Sequence, residues 1–215
     1  MDSVEEPILK TPEDFAKEQE KELAWIHEYE KDDKWKPLGE VNGVKTFDPI
    51  KAPAAGVALR STYTYEGPDT ITVEELTALL VSETERYESD MTELQVVQKI
   101  SDTERVQITR WTVGWPASPR ELPAYVFTRT EGNKTYIFFT PVNVADVPVA
   151  KGHVRGWCKA ITVLEKVEGT DKINATRINW IDPKGWLPTS VVNAKKTDDA
   201  NRLLNAKKHL LSKRK

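Results

Sequence analysis

Asn179-Trp-Ile-Asp-Pro-Lys-Gly-Trp-Leu-Pro-Thr-Ser-Val-Val-Asn193 is the stretch from which the chain is best read. Before it runs a strand-like segment, 172–181, and after it a helical segment from about Pro188 to Leu211. Leu203, Leu204, Leu210 and Leu211 form much of an apolar face on that helix. A last strand followed by a long helix with one apolar stripe needs a sheet for the stripe to pack on.

The sheet is legible upstream. Asn42-Gly43 separates two strand-like runs, 35–41 and 44–50, and Asn-Gly at that spacing is a hairpin turn. A third run, 57–65, puts Val57, Leu59, Tyr63 and Tyr65 on one face and Arg60 on the other. Further strands are expected over 94–101, 105–113, 124–130, 134–140 and 153–166, with polar turns at 101–104, 131–133 and 168–171. Thr11-Pro12-Glu13-Asp14 opens a helix to about Asp32, and Thr72-Val-Glu-Glu75 is a capping box opening another. The charged stretch Ser82–Asp90 is expected to add a helical piece to it. Sequential strands with short turns and helices at their ends indicate an α+β fold on an antiparallel sheet. A sheet of about nine strands curls, and a terminal helix across its mouth leaves a hollow for a ligand.

The opening stretch resembles the last strand and final-helix entrance of the START (StAR-related lipid-transfer) domain family, in which an Asp-Pro-Lys-Gly-Trp-Leu-Pro run precedes an Asn. Here that run is Asp182–Pro188, with Asn193 following. Ser118-Pro119-Arg120-Glu121 is similar to the family's Ser-Pro-Arg-Asp, with Glu121 in place of the Asp. Gly152-His-Val-Arg155 is similar to its Gly-x-Val-Arg, and the three runs fall in the family's order. The resemblance covers about Thr11 to Leu211. It implies a helix-grip fold, in which a curved antiparallel sheet and a long C-terminal helix enclose an apolar tunnel for one lipid. The loop 113–123 and that helix would form the gate. The domain is accordingly expected over 11–211, between an N-terminal tail, 1–10, and a basic tail, 212–215.

Composition agrees with a soluble carrier. The chain has 215 residues, 39% hydrophobic and 30% charged, enough for one domain with a core and a cavity. No apolar run approaches the ~20 residues that span a bilayer. The start lacks a signal peptide's basic and apolar regions, and Cys158 is the single cysteine, so a cytoplasmic, membrane-peripheral location is expected. Two Asn-x-Thr sequons, at Asn133 and Asn174, are then chance matches. Charge is polarised: residues 1–40 carry a balance of −7 and residues 195–215 a balance of +6. A basic C-terminal end can meet an anionic membrane, and it is equally what a helix dipole favours at that end.

Candidate site residues follow from strand alternation and from the resemblance. The tunnel is expected to be lined by Arg110, Thr112, Tyr125, Phe127, Trp157, Arg177, Val191 and Leu203. An inward Arg110 would need an anionic partner, a protein carboxylate or a lipid phosphate, and on that ground a phospholipid is the favoured ligand. Arg60, Arg155 and Arg177 pose the same question. The strand aromatics can build a cage for a choline head through cation–π contact, or simply pack the sheet. Trp115 and Pro116 in the gate loop, with Lys207 and Lys208 on the last helix, are the expected transient contacts with an anionic membrane surface.

The alternatives are a sterol or fatty-acid carrier or sensor, a helix-grip enzyme, and a nucleic-acid binder. The histidines His27, His153 and His209 are scattered, and no nucleophile elbow, paired metal-ligand spacing or phosphate loop occurs. No cofactor and no metal are expected, therefore, and no catalysis. A sequence pI near 5.8 and the lack of a recognition motif argue against nucleic acid as a partner, and a monomer is expected.

Overall fold

The computed structural model describes residues 6–51, 53, 55–67, 71–82, 88 and 90–214. The expected helical piece at Ser82–Asp90 lies largely outside them. Helix α1 (Pro12–Tyr29) starts where its capping chemistry is: Asp14 N donates to Thr11 Oγ1 at 3.2 Å and Thr11 N to the Asp14 carboxylate at 2.8 Å. The turn of the first hairpin, between β1 (Trp35–Val41) and β2 (Val44–Pro49), has φ of 55° at Asn42 and 79° at Gly43. Both central residues of a type I′ turn require positive φ. Strand β3 (Val57–Tyr65) follows, then α2 (Val73–Ser82), whose Thr72–Glu75 box closes at 2.8 and 3.1 Å.

Seven more strands complete one curved sheet: β4 (Met91–Lys99), β5 (Arg105–Trp111), β6 (Arg120–Glu131), β7 (Lys134–Pro141), β8 (Val154–Arg155), β9 (Trp157–Lys166) and β10 (Ile173–Asp182). Their order is β1-β2-β3-β10-β9-β7-β6-β5-β4, antiparallel throughout, except that the short β8 lies parallel to the start of β6. The last strand therefore sits centrally, between β3 and β9, where it is buried on both faces.

Among the boundaries that differ from expectation, three bear on the site. Strand β6 begins at Arg120 rather than 124, because Pro123 is accommodated opposite Ile108 and Arg120 pairs with Trp111. The run 153–166 divides at Gly156, where a Cβ would stand 2.7 Å from the Asp182 carbonyl oxygen, so the chain turns there against the β10 exit. The terminal helix is two helices, α3 (Thr189–Ala200) and α4 (Arg202–Ser212). At the joint, the Asn201 side chain donates to the Thr197 carbonyl at 3.2 Å, competing with the helical ladder.

Both faces of the sheet are apolar. The outer face is covered by α1, which buries Phe15 and Ile26 against Tyr125, Phe127, Tyr136, Phe138, Trp157 and Trp180. Tyr125, Phe127 and Phe138 stack in series, with ring centroids 4.8 and 4.4 Å apart. At the far end of the inner face, α2 and α4 pack Leu76, Leu79, Leu203 and Ala206 onto Tyr65, Val126, Ile137 and Ala175. Tyr65 donates its hydroxyl to the Leu203 carbonyl at 2.7 Å, which pins α4 to the sheet. The remaining part of the inner face, under α3, is not filled.

Candidate functional site

That unfilled part is a cavity of about 320 Å³ between the inner sheet face and α3. Its wall alternates as the strands dictate: Val57 and Leu59 from β3, Leu122 and Ala124 from β6, Phe139 from β7, Cys158, Ala160 and Thr162 from β9, and Arg177, Asn179 and Ile181 from β10. Thr109, Trp111, Thr112 and Val113 form one side, and Pro183 and Leu187 close the end beside them. The roof is helical and polar. Val192, Lys195, Lys196 and Asp199, spaced i, i+3, i+4 and i+7, look into the cavity together with Asp198 and Arg202.

Each cation of the roof, and Arg177 of the wall, is met by a carboxylate. Arg177 Nε donates to Asp199 Oδ1 at 3.2 Å and its Nη1 to Thr162 Oγ1 at 3.2 Å. Arg202 stands 3.3 Å from the same Asp199 oxygen and 2.9 Å from Glu88. Lys195 pairs with Asp90, from the segment before β4, and Lys196 with Asp48 of β2. The ion pairs therefore tie α3 to elements far away in sequence. Cys158 donates its thiol to Asn179 Oδ1 at 3.0 Å, and burial pushes its pKa up to about 11.

At the closed end, the buried Arg120 holds two loops together. Its guanidinium donates to the Pro183, Lys184 and Trp186 carbonyls at 2.7, 3.0 and 3.2 Å, and to the Ser118 carbonyl. Each loop carries an exposed tryptophan: Trp115 is 94% exposed and Trp186 67%.

Of the expected tunnel residues, Arg177 and Thr112 line the cavity. Arg110, Tyr125, Phe127 and Trp157 do not; they occupy the outer face. The reason is that α1 supplies a second apolar surface, so alternation alone assigns these residues to the wrong side. Arg110 finds its anionic partner there, in Glu93 at 2.6 Å and in the fully buried Glu121 at 3.4 Å. Arg155 reaches the other Glu121 oxygen at 2.6 Å. Val191 is half-buried on α3, one residue from the lining Val192, and Leu203 belongs to the packed core under α4. Trp115 and Pro116 lie in the loop at the closed end. Lys207 lies at the opposite end of the strands, its ammonium 3.2 Å from the Glu66 carbonyl oxygen and over the Tyr63 ring, with Lys208 beside it in sequence. The expected docking residues thus do not form one surface.

Sequence reasoning missed Arg120, Asn179, Glu88 and the polar stripe of α3. The stripe had a signal in its helical spacing, but its charges read as a solvated face. Among the described residues no group of His, Cys, Asp and Glu is placed to hold a metal ion, and no helix is long and apolar enough to cross a membrane.

The sequence model of the START domain matches residues 56–208. No curated protein matches the chain. Among solved structures, human StAR-related lipid transfer protein 5 superposes with a TM-score of 0.78 at 22% identity, over 93% of this chain and 98% of that one. Human STARD10 gives 0.73 at 17%, over 95% and 80%. A STAR-related lipid transfer protein fragment from Xanthomonas axonopodis gives 0.65 at 18%, over 82% and 98%. At these identities the likeness is one of fold.

Proposed function

The chain belongs to the START domain family, and from that premise we propose that it carries a single lipid in the cavity and exchanges it with membranes, without catalysing a reaction. The observation that carries this reading is the cavity itself: an apolar wall of Val57, Leu59, Leu122, Phe139 and Ile181 under a helix that is held by ion pairs. Every 100 Å² of apolar ligand surface taken from water there is worth about 2.5 kcal/mol. No reactive group is required for such binding. The one thiol in the wall is held in its protonated form at neutral pH.

Exchange needs a docking surface, and Trp115 and Trp186 supply one beside the cavity's closed end. Indole rings settle at the membrane–water interface, and Arg120 keeps the two loops in a fixed relation. The phosphate headgroup expected from the sequence rested on an inward Arg110. Of the arginines that line the cavity, Arg177 and Arg202 are answered by Asp199, and Arg120 is held by backbone carbonyls.

Native mass spectrometry with lipid extraction, on protein purified from cells, tests the reading. A bound mass that extracts as lipid, followed by transfer of that lipid between vesicles, is expected. A protein that carries no lipid and takes up none from vesicles would overturn it. Uptake without transfer would leave a lipid sensor.

A further inference from the structure

We propose that the cavity selects lipids with an uncharged head, and that Asp199 and Glu88 set this selectivity by serving as built-in counter-ions to Arg177 and Arg202. The proposal rests on the lipid-carrier reading above and names the ligand class of the same cavity. The four groups alternate in sign: Arg177 to Asp199 at 3.2 Å, Asp199 to Arg202 at 3.3 Å, Arg202 to Glu88 at 2.9 Å. Two cations and two carboxylates sum to zero. Arg177, Asp199 and Glu88 are all more than nine-tenths buried, so their charges are screened by one another rather than by water.

A phosphate or carboxylate entering this cavity would add a charge to a balanced set. To take Arg177 as its counter-ion it must compete with Asp199, whose buried carboxylate then loses part of its compensation. A quaternary ammonium meets the mirror-image obstacle, since the carboxylates are already engaged. Lys195 and Lys196 offer an anion no better place, because Asp90 and Asp48 hold them, and Arg120, the remaining cation of the lining, is engaged by four backbone carbonyls. An uncharged hydroxyl or carbonyl faces none of these costs. It has neutral partners in Asn179 and Thr112 on the cavity wall. The volume, about 320 Å³, is near the lower end for small-molecule sites and favours one compact apolar body.

The carboxylates come from separate elements, Asp199 from α3 and Glu88 from the segment before β4, and converge only in the closed cavity. Replacing either by its amide leaves the cavity with one unmatched positive charge while conserving volume. In Asp199→Asn the amide's carbonyl oxygen can still accept from the two guanidinium Nε atoms, which fixes the new side chain in place.

Uptake by the full chain is measured from phosphatidylcholine vesicles carrying one fluorescent probe at a time. The uncharged probes are dehydroergosterol and a labelled diacylglycerol; the charged ones are labelled phosphatidic acid and labelled phosphatidylcholine. The wild type is expected to prefer an uncharged probe by about tenfold or more. Asp199→Asn and Glu88→Gln are each expected to shift the ratio towards phosphatidic acid by about tenfold. Asp102→Asn, away from the cavity on the turn between β4 and β5 and with a carboxylate 95% exposed, should shift it by less than about twofold. Equal or better uptake of phosphatidic acid or phosphatidylcholine by the wild type would overturn the proposal and leave the carrier reading intact. So would an unmoved ratio in folded Asp199→Asn and Glu88→Gln. Failure to take up any of the four probes would overturn both. A gain of anionic-lipid uptake cannot arise from misfolding, and wild-type preference decides the matter if both variants fail to fold.

Discussion

Glu121→Gln tests most directly which face of the sheet Arg110 serves. Glu121 is fully buried on the outer face and accepts from three groups. Arg110 Nε stands 3.4 Å from one carboxylate oxygen, Arg155 Nη2 2.6 Å from the other, and the Ala150 amide donates at 3.2 Å. Removing one member of a buried ion pair typically costs about 3–5 kcal/mol. The lower end applies here, because Arg110 keeps Glu93 at 2.6 Å and Gln95 at 2.9 Å, and Arg155 keeps the Val147 carbonyl at 2.9 Å. A loss of about 3 kcal/mol is therefore expected, with the urea m-value unchanged. Unfolding entropy of about 2.1 cal/mol/K per residue turns this into a fall in Tm of about 7 °C for a chain of this length. Lipid affinity of the folded variant should stay at the wild-type level, since none of these groups lines the cavity. Denaturation and vesicle uptake on the same preparation check both halves. A stability loss under about 1 kcal/mol, or weakened lipid uptake at unchanged stability, would refute the placement of this cluster as structural.

Three further outcomes are expected. Trp115→Ala should slow lipid transfer between vesicles severalfold and leave the melting temperature unchanged, because the side chain is almost wholly exposed; unchanged transfer would remove Trp115 from the docking surface. Glu18→Gln should stabilise the protein at neutral pH. Desolvation beneath α1 raises the Glu18 pKa, so the charged form is disfavoured in the fold, and the gain should vanish as pH falls below the ordinary glutamate range; urea titrations near pH 7 and pH 4 measure it. Cys158, with its thiol raised to about 11, should resist a disulfide reagent at pH 8 and resist it further once lipid is bound; rapid modification of the folded protein would contradict the buried thiol.

The order of elements was legible because its signals are local. The Thr11 and Thr72 caps, the Asn42-Gly43 turn and the period-2 runs each depend on residues within a few positions of one another. The Asp182–Pro188 run and its two companions placed the chain in its family on the same basis. The candidate site was read only in part. Arg177 lines the cavity, and Thr112 does so from beyond the end of β5, whereas Arg110, with which alternation grouped it, and Tyr125, Phe127 and Trp157 lie on the outer face.

By itself, the sequence determined an α+β chain with a curved antiparallel sheet and a helical C-terminus, because hydrophobic period, capping and turn chemistry act between near neighbours. Tertiary structure decided which face of that sheet is the cavity. Both faces are apolar, and only the docking of α1 on one of them breaks the tie. It likewise decided that the charges of α3 point inward. A lysine or aspartate on a helix reads as solvated until Asp48, Asp90 and Arg177, from three distant segments, are brought within ion-pair distance of it.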